Sequence, residues 1–204
     1  MRKSHEHVIP LRSVNGPIDQ TLIEAIAGGS QVAMRTLYDR HSTRVYRFIL
    51  RIVGNATRAE DLLSEVFTDV WNQAGRFEGR SQVSTWILSI ARFTALSAIR
   101  RRDEVALEET TMELLEDGAD TPEEVVLKED RSAQVRRCLA QMSREHREVI
   151  DLVYYHEKSI EEVANIIRAP KNTVKTRMFY ARKRLAQLLS HHCDFDYLAA
   201  REAA

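Results

Sequence analysis

The chain has 204 residues, with 30 lysine and arginine residues against 30 aspartate and glutamate residues, so its formal net charge is zero. Seven glycines and four prolines are too few for a turn-rich all-β fold, and two cysteines are too few for a disulfide framework. The first residues lead into no apolar segment, and the apolar stretches are far shorter than the ~20 residues of a membrane span. We therefore expect a cytoplasmic protein without membrane insertion.

The zero net charge conceals an uneven distribution along the chain. Residues 18–102 carry 12 basic and 8 acidic side chains, and residues 131–190 carry 13 basic and 6 acidic ones. Between these basic segments, residues 103–130 carry one basic and 12 acidic side chains. The neutral total therefore does not exclude nucleic-acid binding, because each basic segment alone can meet phosphates.

Helical periodicity dominates the first basic segment. Residues 1–17 lack periodicity and are interpreted as a flexible lead. Four helices are then predicted; they begin at Asp19 as an N-cap, at residue 31, at a capping box from Thr57 to Glu60, and at residue 84. Gly75 through Gly79 mark a loop before the last of these helices, which ends near Arg102.

The second half is also helical after an irregular acidic stretch. Residues 103–120 show no apolar stripe, which is typical of a tether. Further helices are predicted from the capping box at Thr121 to about Met142, over 144–155, over 160–167 behind a capping box at Ser159, and over 172–189. The predicted fold class is all-α, with two small helical domains and a flexible acidic linker. The predicted boundaries are 1–17 for the lead, 18–102 for the first domain, 103–128 for the linker, 129–190 for the second domain and 191–204 for the tail.

The strongest local signal is a helix-turn-helix over residues 159–185. A short capped helix, a tight turn at Pro170 and a longer helix follow one another, and the longer helix has a basic outer face. Basic and hydroxyl side chains on such a helix can bind phosphates and base edges. The alternative is a solvated basic helix of a bundle. The candidate DNA-binding residues are Lys171, Asn172, Thr173, Lys175, Thr176, Arg177, Tyr180 and Arg182.

A second pattern is an acidic ridge, formed by Asp61, Glu65 and Asp69 at intervals of four residues. It runs beside an apolar stripe that includes Leu63 and Phe67. Like charges at this spacing mildly destabilise a helix, so their retention indicates a basic partner. A solvated face is the alternative on charge alone.

A third pattern mixes aromatic, hydroxyl and arginine side chains over residues 77–92 and ends in a basic run. Such surfaces can stack unpaired bases and hold backbone phosphates. The alternative is that Trp86 simply belongs to the core. The candidate residues are Phe77, Arg80, Ser81, Gln82, Ser84, Trp86, Arg92, Arg100 and Arg101.

Taken in order, these segments resemble the extracytoplasmic-function (ECF, group 4) sigma factors of bacterial RNA polymerase. The resemblance covers roughly residues 20–190. Its phrases are Ala59-Glu60-Asp61 with Glu65-Val66-Phe67 and Val70-Trp71, then Phe77-x-Gly79 with Ser84-Thr85-Trp86-Ile87 and Ile90-Ala91-Arg92, and finally Ile160-Glu161-Glu162-Val163-Ala164 with Pro170-x-x-Thr173-Val174-Lys175-Thr176-Arg177 and Ala181-Arg182.

The resemblance implies a role for each pattern. The first domain (σ2) would bind the β′ clamp helices of core polymerase through Asp61, Leu63, Glu65, Phe67 and Asp69. The segment over residues 77–102 would recognise and melt the −10 element. The second domain (σ4) would contact the β flap and read the −35 element with the helix-turn-helix, with Lys175 and Arg177 on the DNA. An anti-sigma factor would control the protein, and its genes would respond to stress or another signal.

Three residues depart from the family pattern. Phe93 follows Ala91-Arg92 where many members carry asparagine. Arg168 and Asn172 stand where glycine is common in and after the turn. These departures concern −10 recognition and turn geometry, and they leave the motifs themselves in place.

Other functions are weighed against this interpretation. A stand-alone helix-turn-helix regulator would act as a dimer without polymerase, and an adaptor or anti-sigma protein would lack a basic recognition helix. No Gly-rich phosphate loop, nucleophile elbow or HExxH motif supports an enzyme. His191-His192-Cys193-Asp194 has no second ligand pair at zinc-site spacing, so neither a metal nor a cofactor is expected.

Overall fold

The structure is a computed structural model that describes residues 18–105, 135 and 137–202, with side chains for 18–101, 135 and 137–190. The N-terminal unit contains α1 Asp19–Ala27, α2 Gln31–Val53, α3 Ala56–Gln73, a 3-10 turn Ala74–Arg76, and α4 Val83–Val105. The C-terminal unit contains α5 Arg144–Ile150, a π-helical turn Asp151–Tyr155, α6 Ile160–Ile167 and α7 Lys171–Glu202. All regular elements of the described residues are helical, which confirms the predicted all-α fold.

The core of the N-terminal unit lies where α2 packs against both α3 and α4. Ile23 of α1, Leu37 and Phe48 of α2, Val66 of α3 and Ile87 of α4 are all almost completely buried. Their spacing follows the helical period, so each helix turns one apolar stripe inward. The opposite faces of these helices carry the charged patterns described above.

Two predicted helix starts are wrong in detail. Asp19 does not cap α1: Ile18 occupies the N-cap without a side-chain hydrogen bond, and Asp19 instead pairs with Arg40 and His41. Thr57 does not cap α3 either, because Asn55 accepts a hydrogen bond from the Arg58 amide at 2.9 Å. Asparagine is among the strongest N-caps, and here it stands two residues before the threonine.

The C-terminal unit closes around α7. Val149, Leu152, Val163 and Val174 are buried together, and α7 packs against both α5 and α6. The predicted capping box of α6 is confirmed, with Ser159 and Glu162 exchanging hydrogen bonds. The predicted helix over 144–155 is present, but its last turn, Asp151–Tyr155, is π-helical.

The helix ends extend beyond several predicted limits. α7 continues to Glu202 rather than ending near Leu189, and no proline or glycine interrupts residues 190–202. The predicted lead, the capping box at Thr121 and most of the predicted linker lie outside the described residues. The proposed domain boundaries therefore stay predictions. No helix in the described ranges is both long enough and apolar enough to cross a membrane.

The two units touch each other directly. α4 of the N-terminal unit packs against α6 of the C-terminal unit. This contact brings the helix-turn-helix against the helix that carries Ser84, Trp86 and Arg92.

Candidate nucleic-acid and polymerase interface

The basic helix of the helix-turn-helix is accessible along its first turns. Lys171, Asn172, Lys175 and Thr176 are exposed, as are Tyr180 and Arg182, while Thr173 and Arg177 are half-buried. Val174 and Met178 on the opposite face are buried against the rest of the unit. We call residues 171–184 of α7 the recognition helix, since its outer face presents basic and hydroxyl side chains to solvent.

The turn between the two helices is tight. Arg168 caps α6 in the left-handed region with φ 53°, and its amide donates to the Ala164 carbonyl. The Ala169 amide donates to the same carbonyl at 3.1 Å. A salt bridge of 2.6 Å from Lys171 to Glu161 then ties the start of the recognition helix to α6.

The acidic ridge on α3 is partly accessible. Asp61 and Glu65 are exposed and Asp69 is half-buried. Leu63 and Phe67 are instead part of the core, and the Phe67 ring lies 4.7 Å from the Tyr38 ring. The solvent-accessible part of the predicted set is therefore its three acids, and the two apolar residues support the helix from inside.

The predicted −10 residues lie in the loop that precedes α4 and along α4 itself. The rings of Phe77 and Trp86 are 5.0 Å apart and both are half-buried, so Trp86 packs on the core while keeping an accessible edge. Arg80 extends into solvent beside Glu78. Arg100 and Arg101 are exposed, and Ser81 is half-buried. We call this set, together with Gln82, Ser84 and Arg92, the −10 surface.

One edge of the −10 surface is occupied by the C-terminal unit. Arg92 donates from Nε and Nη2 to the two carboxylate oxygens of Glu148, at 2.6 and 3.2 Å. Lys158 donates to the Ser84 hydroxyl at 2.7 Å and to the Gln82 side-chain carbonyl at 3.4 Å. These bonds join residues 56 to 76 positions apart in sequence.

Glu162 lies at the centre of this polar contact. It accepts a hydrogen bond from the Thr85 hydroxyl at 2.7 Å, lies 3.2 Å from the Lys158 ammonium, and also closes the capping box with Ser159. Burial opposes its ionisation, but the bonds from Thr85 and Ser159 and the charge of Lys158 outweigh it and lower the pKa of Glu162 to about 2. Glu162 is therefore a carboxylate at any physiological pH.

A second contact joins α2 to the π-helical turn. Arg47 donates to the Tyr155 hydroxyl at 2.8 Å, and the Arg51 guanidinium carbon lies 4.4 Å from the centre of the same ring. Arg51 also forms a salt bridge with Asp151. The His156 ring meets the Phe48 ring edge-on at 5.3 Å.

His156 is almost completely enclosed by this second contact. Its side chain is 2% exposed, and its Nε2 lies 3.5 Å from Asp151 Oδ2. Burial, together with the nearby charges of Arg51, Arg44 and Lys158, lowers the pKa of His156 to about 3. The ring is therefore neutral at physiological pH.

Sequence reasoning did not identify Thr85, Glu148, Lys158 or Glu162 as partners across the units. Glu162 was found only as a capping residue, and periodicity contains no information on which distant helix faces it. Over the part of the chain with described side chains, no group of three or more His, Cys, Asp and Glu residues could hold a metal ion. The side chains of His191, His192, Cys193 and Asp194 lie outside that part.

Two family models match the chain. Sigma-70 region 2 matches residues 37–105, and Sigma-70 region 4 matches residues 132–185, together more than half of the sequence. The ECF sigma factor SigX of Bacillus subtilis is 31% identical over 145 residues, which are 69% of this chain and 75% of the relative. The chain belongs to the ECF class of the sigma-70 family. This ECF factor is also 29% identical over 177 residues to SigW of Bacillus subtilis, covering 82% of this chain and 94% of SigW.

Solved structures share the fold of this ECF factor. CnrH, in complex with the cytosolic domain of CnrY, superposes with a TM-score of 0.64 at 20% identity, covering 85% of this chain and 97% of CnrH. The sigma factor RpoE from Bartonella quintana, in complex with the anti-sigma factor NepR, also gives 0.64, at 23% identity and coverage of 76% and 96%.

The resemblance read from the sequence is thereby confirmed. As a sigma factor, the protein binds core RNA polymerase and directs it to promoters. Family membership excludes the two rival interpretations, a stand-alone regulator and an adaptor, because neither contains both sigma-70 regions in this order.

Proposed function

We propose that this sigma factor recognises its promoters with two separate surfaces, the recognition helix for the −35 element and the −10 surface for the melted strand. The observation that carries the proposal is the exposed basic face of the recognition helix on a correctly capped helix-turn-helix. Helices held in this way enter the major groove with their N-terminal residues toward the bases. Lys171, Lys175 and Arg177 lie in those first turns.

The −10 surface supplies the groups that single-stranded DNA requires. The half-buried Phe77 and Trp86 rings offer faces for stacking of unpaired bases, which contributes about 1–3 kcal/mol per base. The exposed Arg80, Arg100 and Arg101 can neutralise phosphates on either side. This combination favours a melted strand over an intact duplex, because duplex bases are stacked on one another.

Core polymerase would contact the acidic ridge on α3. Asp61 and Glu65 are exposed one helical turn apart and form no salt bridge within the described residues. An unpaired acidic ridge is suited to a basic helical surface on a partner, such as the β′ clamp helices implied by the family. The β flap would contact the C-terminal unit.

An anti-sigma factor would control the protein, and its genes would respond to stress or another signal. RpoE, which shares the fold, is bound to the anti-sigma factor NepR in its solved complex. The protein would act in the cytoplasm, where the polymerase is, and it would carry out no catalysis of its own. The absence from the sequence of a Gly-rich phosphate loop or a nucleophile elbow supports this last point.

The test is transcription in vitro with bacterial core polymerase on a library of random promoter fragments. We expect RNA from a subset of fragments only when this protein is added, with shared −10 and −35 sequences among them. Failure to support any initiation would contradict the proposal.

Variants of the recognition helix sharpen this test. On a selected promoter, Lys175→Ala and Arg177→Ala should each weaken binding, and loss of one phosphate contact should reduce the salt slope by about 1. Lys183→Ala and Arg184→Ala are matched controls of the same residue types, because they lie at the C-terminal end of the recognition helix and are not among its candidate DNA contacts. Equal effects in both pairs would count against the −35 assignment.

A further inference from the structure

We propose that Phe93 is a further base-binding residue beside the −10 surface, which stacks on one unpaired base of the melted strand and thereby relaxes the choice of base at that position. The inference rests on the proposed −10 role of the N-terminal unit, and it adds a residue that lies outside the predicted set. The ligand is a single nucleobase of a melted strand, held by its flat face.

The Phe93 ring lies mostly in solvent. Phe93 is 59% exposed, although phenylalanine is among the residues most often buried. The next two residues of α4, Thr94 and Ala95, are buried, so the helix is well packed at this point and the ring points away from the core. A base stacked on the ring would remove apolar surface from water, which is favourable. Since single exposed rings are common on protein surfaces, the position of this ring matters more than its exposure.

Phe93 lies in line with two residues of the −10 surface. Trp86, Phe93 and Arg100 are spaced by seven residues, which is close to two helical turns, so they follow one another along the same side of α4. Neighbours in this line are about 10 Å apart along the helix axis. Trp86 is half-buried with its ring 5.0 Å from the Phe77 ring, and Arg100 is exposed. Phe93 therefore extends the aromatic part of the −10 surface toward its cations.

The residues one helical turn away from Phe93 on this side are small. Ser89 lies four positions before it and Ser97 four positions after it. The Ser89 hydroxyl donates to the Thr85 carbonyl at 2.9 Å, so it is folded back on its own helix. Neither serine is long enough to cover the Phe93 ring, and both therefore leave it open to a flat group.

A planar group already lies over this ring. The Arg168 guanidinium carbon is 6.0 Å from the centre of the Phe93 ring, at the limit of a cation–π contact. An exposed cation–π contact at this distance is weaker than stacking of a whole base. A base can therefore take the place of the guanidinium when the −10 surface engages a melted strand.

The chemistry of the side chain determines what Phe93 can read. The asparagine that many members carry here has an amide that donates to and accepts from base edges, and such hydrogen bonds distinguish one base from another. Phenylalanine has no polar side-chain atom, and its ring stacks on any base because every base has a π face. Stacking therefore adds affinity without selecting one base. We expect this factor to accept several bases at one position of its −10 element.

The experiment combines variants of the full-length protein with changes in the DNA. Holoenzyme made with core polymerase binds a fluorescent fork that carries a single-stranded −10 element, taken from a promoter selected in the transcription test, and no −35 element. Each base of the element is replaced in turn by an abasic site, for the wild type, Phe93→Leu and Phe93→Tyr. Tyr154→Leu is the matched control, since Tyr154 is 58% exposed but lies in the C-terminal unit.

At one position of the element, removal of the base should weaken binding of the wild type about fivefold to tenfold, as expected for loss of one base–aromatic stack. The same abasic site should weaken binding of Phe93→Leu less than about twofold, because the ring that stacked on the base is already gone. Phe93→Tyr keeps the ring and should behave like the wild type, as should Tyr154→Leu. The inference is overturned if every abasic site affects Phe93→Leu as strongly as the wild type.

Base preference is the second readout. In a promoter library with all four bases at that position, the wild type should transcribe from several of them. Phe93→Asn should instead favour one base by about fivefold or more, because its amide can hydrogen-bond a base edge. An unchanged spread of preference would overturn the claimed effect on specificity.

These outcomes are distinct from failure of the proposed function. If no abasic site weakened binding of the wild type, the −10 surface would not hold the melted strand, and the proposed function would fail first. If abasic sites weakened binding of the wild type and of Phe93→Leu equally, the −10 assignment would stand and the role of Phe93 alone would be refuted.

Discussion

Glu162 takes part both in a helix cap and in a contact between the two units. Its backbone amide and carboxylate close the capping box of α6, and the same carboxylate accepts the Thr85 hydroxyl from the other unit. The capping role could be predicted because Ser159 and Glu162 are three residues apart, which is a local relation. The contact with Thr85 joins residues 77 positions apart, and no local pattern specifies it.

His156 gives the contact between the units a pH dependence. The groups around it are Arg44 and Arg51 from α2, Asp151 from the π-helical turn, and Lys158. Burial and the nearby cations hold its pKa at about 3, below the ordinary 6.5. The stability that depends on the neutral ring is therefore complete above pH 6.5 and is lost as the pH falls toward 3. At pH 5.5, which is one unit below the ordinary histidine pKa, the loss of folding stability amounts to about 1.4 kcal/mol.

We therefore predict that lowering the pH from 7.5 to 5.5 reduces the free energy of unfolding in urea by about that amount. A His156→Gln variant should lose less, with a remainder to which His41 contributes, because burial also lowers the pKa of His41. A His146→Gln variant serves as the control and should keep the full loss. If His156→Gln and the wild type were equally sensitive, another group would be responsible.

At the scale of the helix, the sequence predicted which segments are helical more accurately than where each helix begins and ends. Apolar periodicity identified every helix from α1 to α7, since each buries one stripe. The start of α3 was misplaced because Gly54, at φ 69°, ends α2 in the left-handed region and leaves Asn55 in position to cap. The π-helical turn could not be foreseen, because it accompanies packing of Tyr155 and His156 against α2.

The cap of α3 offers a stability test. Asn55→Ala should lower the free energy of unfolding by about 1 kcal/mol, because the Arg58 amide loses its acceptor. Thr57→Ala, the residue favoured by the sequence pattern, is exposed and caps nothing, so it should change stability by less than about 0.5 kcal/mol. Urea unfolding of both variants measures this difference. The reverse order would place the cap at Thr57 after all.

For the whole molecule, the sequence predicted the three surfaces but not their arrangement. The recognition helix and the acids of the ridge are accessible where the patterns placed them, because amphipathic helices turn their polar faces outward. Leu63 and Phe67 were expected at the polymerase and are buried, since the apolar stripe of α3 faces its own core. The engagement of Arg92, Ser84 and Gln82 by the C-terminal unit depends on tertiary contacts between distant segments.

The charge distribution leads to a prediction for the full chain. Replacing the 12 acids of residues 103–130 by their amides should raise nonspecific affinity for duplex DNA at low salt. The reason is that the negative charge of this segment no longer offsets the positive charge of the two basic units. The increase should vanish at high salt, where exposed charges are screened. A variant with the same residues in shuffled order is the control and should resemble the wild type. Binding curves at several salt concentrations measure the effect, and unchanged affinity would rule it out.

The bond between Arg92 and Glu148 also has a consequence for fragments of the chain. A cut between residues 105 and 135 would leave the guanidinium on one fragment and the carboxylate on the other, where each would face water. The two fragments should therefore rebind each other with an affinity that falls as the salt concentration rises, because the charges of the separated fragments are screened.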